Sequence, residues 1–321
     1  MTIQQAAARR RFDVAVINYN TAAHLRTCLA SVLGEAPHTI VVIDNASTDQ
    51  SVDLVRSEFP EVHLYASPTN LGYGRAANLA LAGCQAKYVL LLNSDTRLQQ
   101  GALDALAAYF ALHPNAAVVG PRLVNLDGSL QRSTFPFPTP LDHLQVLMNA
   151  HRAIGRIPLL REMNHRTWRH YQSRAVPWVL GAALALRRAV VVEVGGFDES
   201  FFMYSEEVDL CYRLRQIGWQ THYTPVTTVT HIRGASTSQQ RVTMEITRVR
   251  NTDHFYHKHY PRRYNQQRKL IMATAMCIKI VRDTLRRLSV ANRTRRSPLD
   301  DNLRIWWGTL VSLWERAEHN D

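Results

Sequence analysis

Three apolar runs of this chain each end on hydrogen-bonding side chains, and helical repeats separate them. The runs are Phe12–Asn18 (FDVAVIN), Thr39–Asp44 (TIVVID) and Tyr88–Leu92 (YVLLL), the last followed directly by Asn93, Ser94 and Asp95. Their length and β-branched content predict short buried strands. Between them, His24–Leu33 carries Leu25, Leu29, Val32 and Leu33 at helical spacing, and Asp49–Phe59 and the Ala-rich Gly74–Gly83 also read as helices. Val62–Tyr65 and Ala117–Val119 read as further strands and Leu103–Leu112 as a further helix. Strands alternating with helices predict an α/β fold built on an open, mostly parallel sheet with helices on both faces. Ligands of such sheets bind outside the carboxyl ends of the strands. Asn18, Asp44 and Asn93–Asp95 are therefore expected to converge on one crevice.

The second half is organised differently. Phe135–Ser173 begins with Pro136, Pro138 and Pro140 and continues basic and His-rich, which predicts a loop followed by helical structure. Val179–Arg187 reads as a strand, and Asp209–Gln216 as a helix closed by Gly218. From about Arg241 the chain reads as helical, basic and amphipathic, with a last helix around Trp306, Trp307 and Trp314. The expected division is a domain over 1–240 and a basic helical appendage over 241–321.

Charge is concentrated in that appendage. The formal net charge is +12, and residues 241–300 hold fifteen Lys or Arg against four Asp or Glu. This excess of eleven suits either a solvated helix face or an anionic lipid surface. Phe255, Tyr256, Tyr260 and Tyr264 near these basic residues could stack bases, but no nucleic-acid-binding motif accompanies them, so nucleic acid is not an expected partner. Cys28, Cys84, Cys211 and Cys277 have neither metal-ligand spacing nor a disulfide framework, which predicts reduced thiols. The amino-terminal residues contain no apolar signal core, and the longest apolar stretch near the carboxyl end, Leu270–Val281, is interrupted by Lys279. A cytoplasmic protein without a transmembrane helix is expected, peripheral to the inner face of the membrane if the basic segment meets lipid.

Four clusters could carry chemistry. Asp44-Asn45-Ala46-Ser47-Thr48-Asp49 follows a strand, so Asp44 can accept a hydrogen bond from a nucleobase, while Ser47 to Asp49 also suit a turn or helix cap. Asn93-Ser94-Asp95 offers one carboxylate at a strand end, where a hard divalent cation such as Mg²⁺ or Mn²⁺ would take it together with substrate phosphates. Glu206, Glu207 and Asp209 favour a helix N-terminus, but Phe201, Phe202 and Tyr204 before them could shield the carboxylates and raise one pKa toward that of a general base. His231 follows a β-like run and is either structural or a further metal ligand. Gly72-Tyr73-Gly74-Arg75-Ala76-Ala77 approximates a dinucleotide fingerprint, yet it follows the third strand rather than the first, which argues against that use.

The order of these pieces resembles glycosyltransferase family 2, in particular its rhamnosyltransferase-like bacterial branch. The matching segments are VAVINYN (14–20), VVIDNASTD (41–49), NLGYGRAAN (70–78), LLNSDT (91–96), WVLGAALALRR (178–188), GGFDESFFMYSEEVDLCYRLRQIGW (195–219) and the region of His231. The resemblance implies the GT-A fold and a sugar transfer from a nucleotide-sugar donor, with inversion, to a saccharide or lipid-linked saccharide. The branch suggests rhamnose from a dTDP donor. By position, Tyr19, Asp44 and Asn45 would hold the nucleotide, Asn70, Arg75 and Asn93 would help seat the donor, and Asp95 and His231 would bind the metal. Trp178, Gly181 and Ala182 match a loop near the transferred sugar and acceptor. Glu207 matches the catalytic base, with Glu206 and Asp209 as acceptor-orienting or structural acids. Two departures stand out: Asn93 replaces the first acid of the family's DXD motif, and the base position, commonly Asp, holds Glu207, which makes Glu206 and Glu207 hard to separate. A non-catalytic sugar- or nucleotide-binding protein on the same fold is the alternative.

Overall fold

A computed structural model of the chain describes residues 11–147, 156–157, 164, 168–232, 241–289 and 293–314. It divides into two compact units. One comprises the residues up to Phe137, Trp168–Phe202 and Glu206–Ser236; the other comprises Pro138–Thr167, Met203–Ser205 and Thr237–Asp321. The segment after Pro138 thus groups with the carboxyl-terminal helices rather than with the sheet, a division finer than one boundary near 240.

The first unit is a mixed, mostly parallel sheet flanked by helices. Strands β1 (Phe12–Asn18), β2 (Ile40–Asp44), β3 (His63–Ala66) and β4 (Tyr88–Asn93) form its parallel half in the order β3-β2-β1-β4. Helices α1 (Ala22–Leu33), α2 (Ser51–Glu58) and α3 (Tyr73–Ala82) connect them. β1 and β2 are buried along their whole length, as strands covered on both faces must be. Phe12, Val14 and Val16 share one core with Leu25, Cys28 and Leu29 of α1 and with Leu103, Leu106 and Phe110 of α4 (Ala102–Leu112). Each such side chain, fully removed from water, stabilises the fold by about 1.5–3 kcal/mol before entropy is counted.

The sheet continues through short strands. β5 (Thr96–Leu98), β6 (Ala116–Val124), β7 (Leu130–Gln131), β9 (Arg174–Val176), β11 (Ala183–Arg187) and β12 (Gln220–His231) complete it, with the path running β4-β11-β6-β12-β5. β11 is antiparallel to both β4 and β6. β8 (Thr134–Phe135) and β10 (Trp178–Val179) form a separate antiparallel pair. The single strand expected over Val179–Arg187 is therefore two strands, split at Leu180–Ala182, and this break is the loop carrying Gly181. Helix α6 (Arg188–Glu193) follows β11, and α7 (Glu206–Gln216) starts three residues earlier than the apolar pattern suggests because its first turn is acidic.

The second unit is helical: α5 (Pro140–Leu147), α8 (Arg241–His259), α9 (Arg262–Ser289) and α10 (Arg293–Ser312). Proline at the first position of α5 and Thr139 before it, whose hydroxyl accepts from the Asp142 amide at 3.1 Å, set that helix start. Among the described residues no helix is long and apolar enough to cross a membrane.

Candidate active site

The carboxyl ends of β1, β2 and β4 are tied by one buried polar network. The Asn18 amide donates to Asp44 Oδ2 at 2.7 Å, and its oxygen accepts from the Thr21 hydroxyl at 2.7 Å. Thr21 Oγ1 in turn lies 2.6 Å from Ser94 Oγ, just past β4. Asp44 Oδ1 accepts from the Ser47 amide at 2.9 Å. Asp44 is buried, and with these two bonds it braces the loop that follows β2.

A second turn lies beside it. Asn45 Oδ1 accepts from the Leu71 amide, and Asn45 Nδ2 donates to Asn70 Oδ1 at 2.9 Å. Asn70 Oδ1 also accepts from the Gly72 amide. Gly72 has a φ of +76°, and a Cβ there would stand 2.3 Å from the Phe202 carbonyl oxygen, which accepts from the Tyr73 amide at 2.8 Å. Only glycine fits that approach. Asn45 and Asn70 thus act on the turn at the start of α3, and Tyr19 stands half-buried directly after β1.

Asp95 and His231 meet. The pairing of β5 with β12 sets His231 opposite Thr96, and His231 Nε2 stands 3.3 Å from Asp95 Oδ1 with both side chains buried. Two ligands at right angles on an ion about 2.1 Å from each would be about 3.0 Å apart, so an oxygen and a nitrogen at this separation fit one octahedral divalent cation. Among the described residues no group of three or more His, Cys, Asp or Glu gathers to hold a metal. The rest of such a coordination shell would come from water and substrate oxygens, as hard divalent cations commonly accept.

Glu207 and Gly181 also meet. A Cβ on Gly181 would lie 3.7 Å from Glu207 Oε1 and 3.7 Å from Tyr73 Oη, and Tyr73 donates to the Gly181 carbonyl at 2.7 Å. The next residue, Ala182, accepts from the Asn93 amide at 3.0 Å. The loop between β10 and β11 therefore joins the end of β4 to the start of α7. Burial pushes the Tyr73 hydroxyl well above its ordinary pKa, and the charges of Glu206, Glu207 and Asp95 all add to that rise. Burial likewise pushes the Glu206 carboxyl well above the usual range, with the Glu207 charge adding to it. Just before the helix, Tyr204 and Ser205 hold left-handed φ values of 69° and 72°. For residues other than glycine this costs about 1–3 kcal/mol, a strain that clusters at active sites.

Other residues of the sequence reading have different partners. Asp209, read there as an acceptor-orienting or structural acid, is fully buried and pairs with Arg213 at 2.6 Å. Arg213 donates on to the Val194 and Gly196 carbonyls, so Asp209 braces the chain before α7, as a structural acid does. Arg75 is exposed and faces Glu199 at 3.7 Å. Trp178 donates to the Pro136 carbonyl at 2.8 Å and packs on Phe135. Conversely Tyr73, Thr21 and Gln131 hydrogen-bond to Gly181, Asn18 and His231 without having been singled out for it. For Tyr73 the available signal was its place in the first turn of a helix that follows a glycine turn.

The profile of the family described as glycosyl transferase family 2 matches residues 13–164. N-acetylglucosaminyl-diphospho-decaprenol L-rhamnosyltransferase from Mycobacterium tuberculosis is 32% identical over 245 residues, 70% of this chain and 77% of the relative. Pre-mycofactocin glycosyltransferase from the same organism is 29% identical over 228 residues, 70% of this chain and 43% of the relative. Among solved structures, mannosyltransferase PcManGT from Pyrobaculum calidifontis, in complex with GDP-Man and Mn²⁺, superposes with a TM-score of 0.55 at 17% identity, covering 95% of this chain and 88% of that one. GalNAc-T7 with UDP, GalNAc and Mn²⁺ gives a TM-score of 0.53 at 15% identity, covering 76% and 49%. At these identities the structural likeness bears on the fold alone.

Proposed function

The chain belongs to glycosyltransferase family 2 and is a glycosyltransferase, and from that premise we propose that it transfers rhamnose, with inversion, from a nucleotide-sugar donor to a lipid-linked saccharide. The observation that carries the mechanism is the loop at Gly181–Ala182, which meets Glu207 and Tyr73 on one side and the end of β4, two residues from Asp95, on the other. A base and a diphosphate-binding group brought together by one loop are what a single displacement requires.

Glu207 takes the proton of the acceptor hydroxyl as that oxygen attacks the anomeric carbon, and the nucleoside diphosphate leaves from the opposite face. One displacement with one base inverts the anomeric configuration, in contrast to the two-step route through a covalent intermediate. Asp95 and His231 would hold a divalent cation, Mg²⁺ or Mn²⁺, whose chemistry there is to neutralise the charge of the departing diphosphate. Glu206, whose carboxyl is pushed up by burial and by the Glu207 charge, shapes the electrostatics beside the base. Asp44, Tyr19 and the Asn45–Asn70 turn form the nucleotide side. The named substrate of the mycobacterial relative supports a polyprenyl-diphosphate-linked acceptor, and the mannosyltransferase solved with Mn²⁺ supports the metal.

The second unit supports a peripheral membrane partner. α9 exposes Leu270, Ile278, Val281 and Leu285, α10 exposes Trp307 and Val311, and the turn after α10 exposes Trp314. α9 carries eight Lys or Arg against one acid. Apolar stripes beside basic residues fit an anionic lipid interface, where a lipid-linked acceptor resides.

The test is turnover of Glu207→Gln, read as nucleoside diphosphate release, with the product anomer assigned by NMR. We expect kcat lower by about 10²–10⁴-fold and an inverted linkage from the unsubstituted enzyme, with turnover abolished by a chelator. Near-normal turnover in Glu207→Gln would remove that residue from the role of base.

A further inference from the structure

We infer that Gln131 is a positioning residue that fixes His231 as its Nδ1–H tautomer, so that Nε2 presents its lone pair beside Asp95 Oδ1. The inference rests on the metal reading above only for what that lone pair is used for. The tautomer follows from hydrogen-bond directions alone.

Gln131 ends the two-residue strand β7, which pairs with Leu123 and Val124 of β6, and it is buried. Its side-chain orientation is fixed from two directions. Gln131 Nε2 lies 3.3 Å from the His231 carbonyl oxygen, which can only accept. The same nitrogen lies 2.9 Å from Asn125 Oδ1. Asn125 is fixed in turn, because its Nδ2 donates to Ser129 Oγ at 2.8 Å and Ser129 Oγ donates to Asp127 Oδ1 at 2.6 Å. Every link of this chain points the same way, from the Gln131 amide nitrogen outward along the turn.

With its nitrogen so committed, Gln131 Oε1 is the atom that stands 2.6 Å from His231 Nδ1. An amide oxygen only accepts, so Nδ1 must carry a proton. In the neutral ring Nε2 is then the bare nitrogen, and it faces Asp95 Oδ1 at 3.3 Å. Two lone pairs aimed at one another repel unless a metal cation lies between them or a second proton makes the ring an imidazolium, which alkaline pH removes. Gln131 therefore turns an arrangement that would otherwise be an ordinary His–Asp hydrogen bond, with the proton on Nε2, into a nitrogen–oxygen chelate. Bonds from the far ring nitrogen to a neutral or acidic acceptor orient metal-bound histidines generally, and removing them costs about 10–100-fold in metal affinity.

The experiment has two readouts on the full chain. The first is the tautomer of His231 at alkaline pH without metal, from ring-¹⁵N chemical shifts in histidine-labelled protein, with the resonances assigned by their loss in His231→Gln. The second is Mn²⁺ affinity by electron paramagnetic resonance. We expect the Nδ1–H tautomer in the unsubstituted protein and in Gln131→Glu, whose carboxylate still accepts from Nδ1. In Gln131→Leu we expect the Nε2–H form and Mn²⁺ affinity about 10–100-fold weaker, whereas Gln131→Glu should retain it. An Nε2–H tautomer in the unsubstituted protein would overturn the inference by itself, even if Gln131→Leu failed to fold. So would a Gln131→Leu protein that keeps Nδ1–H. A tautomer that follows Gln131 as expected in a protein that binds no Mn²⁺ would uphold the positioning role and overturn the metal reading instead.

Discussion

In the sheet unit the buried polar side chains gather at strand ends: Asn18, Thr21, Asp44 and Ser94 form one connected set, and Gln131, His231 and Asp95 another. In the helical unit the buried charge ties helices to one another instead, at Asp253 and at Asp283, which accepts from Trp306. Asp253 accepts from the fully buried Arg268, with Lys269 at 3.2 Å and His257 at 3.3 Å, while apolar side chains of α9 and α10 are left outside. The first arrangement holds polar groups at the carboxyl ends of parallel strands, where open α/β sheets bind their ligands. The second uses them to fix helices, which frees an apolar surface for something other than the core.

The contrast is broken most directly at Asp253. Arg268 has Asn265 Oδ1 at 3.0 Å and the Tyr256 ring beneath it as its further partners, and burial already lowers its pKa. Asp253→Ala leaves that charge uncompensated, and we expect a loss of about 3–5 kcal/mol. Hydrogen exchange read by mass spectrometry should show it across α8 and α9 and leave β4 and β11 protected. Adding Arg268→Met should restore most of the protection, because an apolar pair of similar volume carries no desolvation cost. Unchanged exchange in the single variant would mean that the ion cluster does not hold the helices.

The sheet unit has its own internal polar lock, and pH sharpens the comparison. His170 is fully buried; its Nδ1 lies 2.9 Å from the Trp168 carbonyl oxygen and its Nε2 3.0 Å from Thr134 Oγ1, which accepts from the Trp168 indole at 2.8 Å. Burial pushes its pKa down to about 4. Because the folded pKa lies below the unfolded one, the unfolded chain binds more protons between about pH 6.5 and pH 4. Stability is therefore full above that window and falls as pH drops through it, by about 2–3 kcal/mol from this residue. His170→Gln should flatten the acid limb of a urea-unfolding series by that amount. An acid limb of equal depth in both proteins would take His170 out of the account.

Much of the sheet was legible because strands buried on both faces leave unbroken apolar runs. Phe12–Asn18 has the bounds expected of it, and Ile40–Asp44 and Tyr88–Asn93 differ by a residue at one end. The direction of β11 was not legible, since an apolar run carries no arrow, and two- or three-residue strands such as β7 are too short to show a period. The site divides in the same way. Asp44 and Asp95 could be named because strand ends are visible in sequence, and Glu207 because the acidic run 206–209 matches a family motif. Asp209 looks the same as its neighbours there, and the signal that separates it is Arg213 four residues on, the spacing of a helical ion pair. Gln131 had no signal at all: its role depends on a register between β6 and β7 that only the folded chain reveals.

The smallest expected effect tests the outer face of the helical unit. Trp307 and Trp314 are more than half exposed, Trp307 on α10 with exposed Val311 four residues on, and Trp314 in the turn that follows the helix. A helix that only needed to pack would gain nothing from tryptophans there, whereas an interfacial helix gains from rings that sit at the headgroup level. Trp307→Ser combined with Trp314→Ser removes apolar area worth at least a factor of about ten in partitioning. Sedimentation with vesicles containing phosphatidylglycerol should show that drop, and turnover with a water-soluble acceptor analogue should stay unchanged. Because the basic residues are untouched, the remaining binding should become more sensitive to salt, as expected when charge alone holds a helix to lipid. Equal binding of both proteins would show that the apolar stripe on α10 has no lipid to meet, and the division of labour between the two units would then rest on charge.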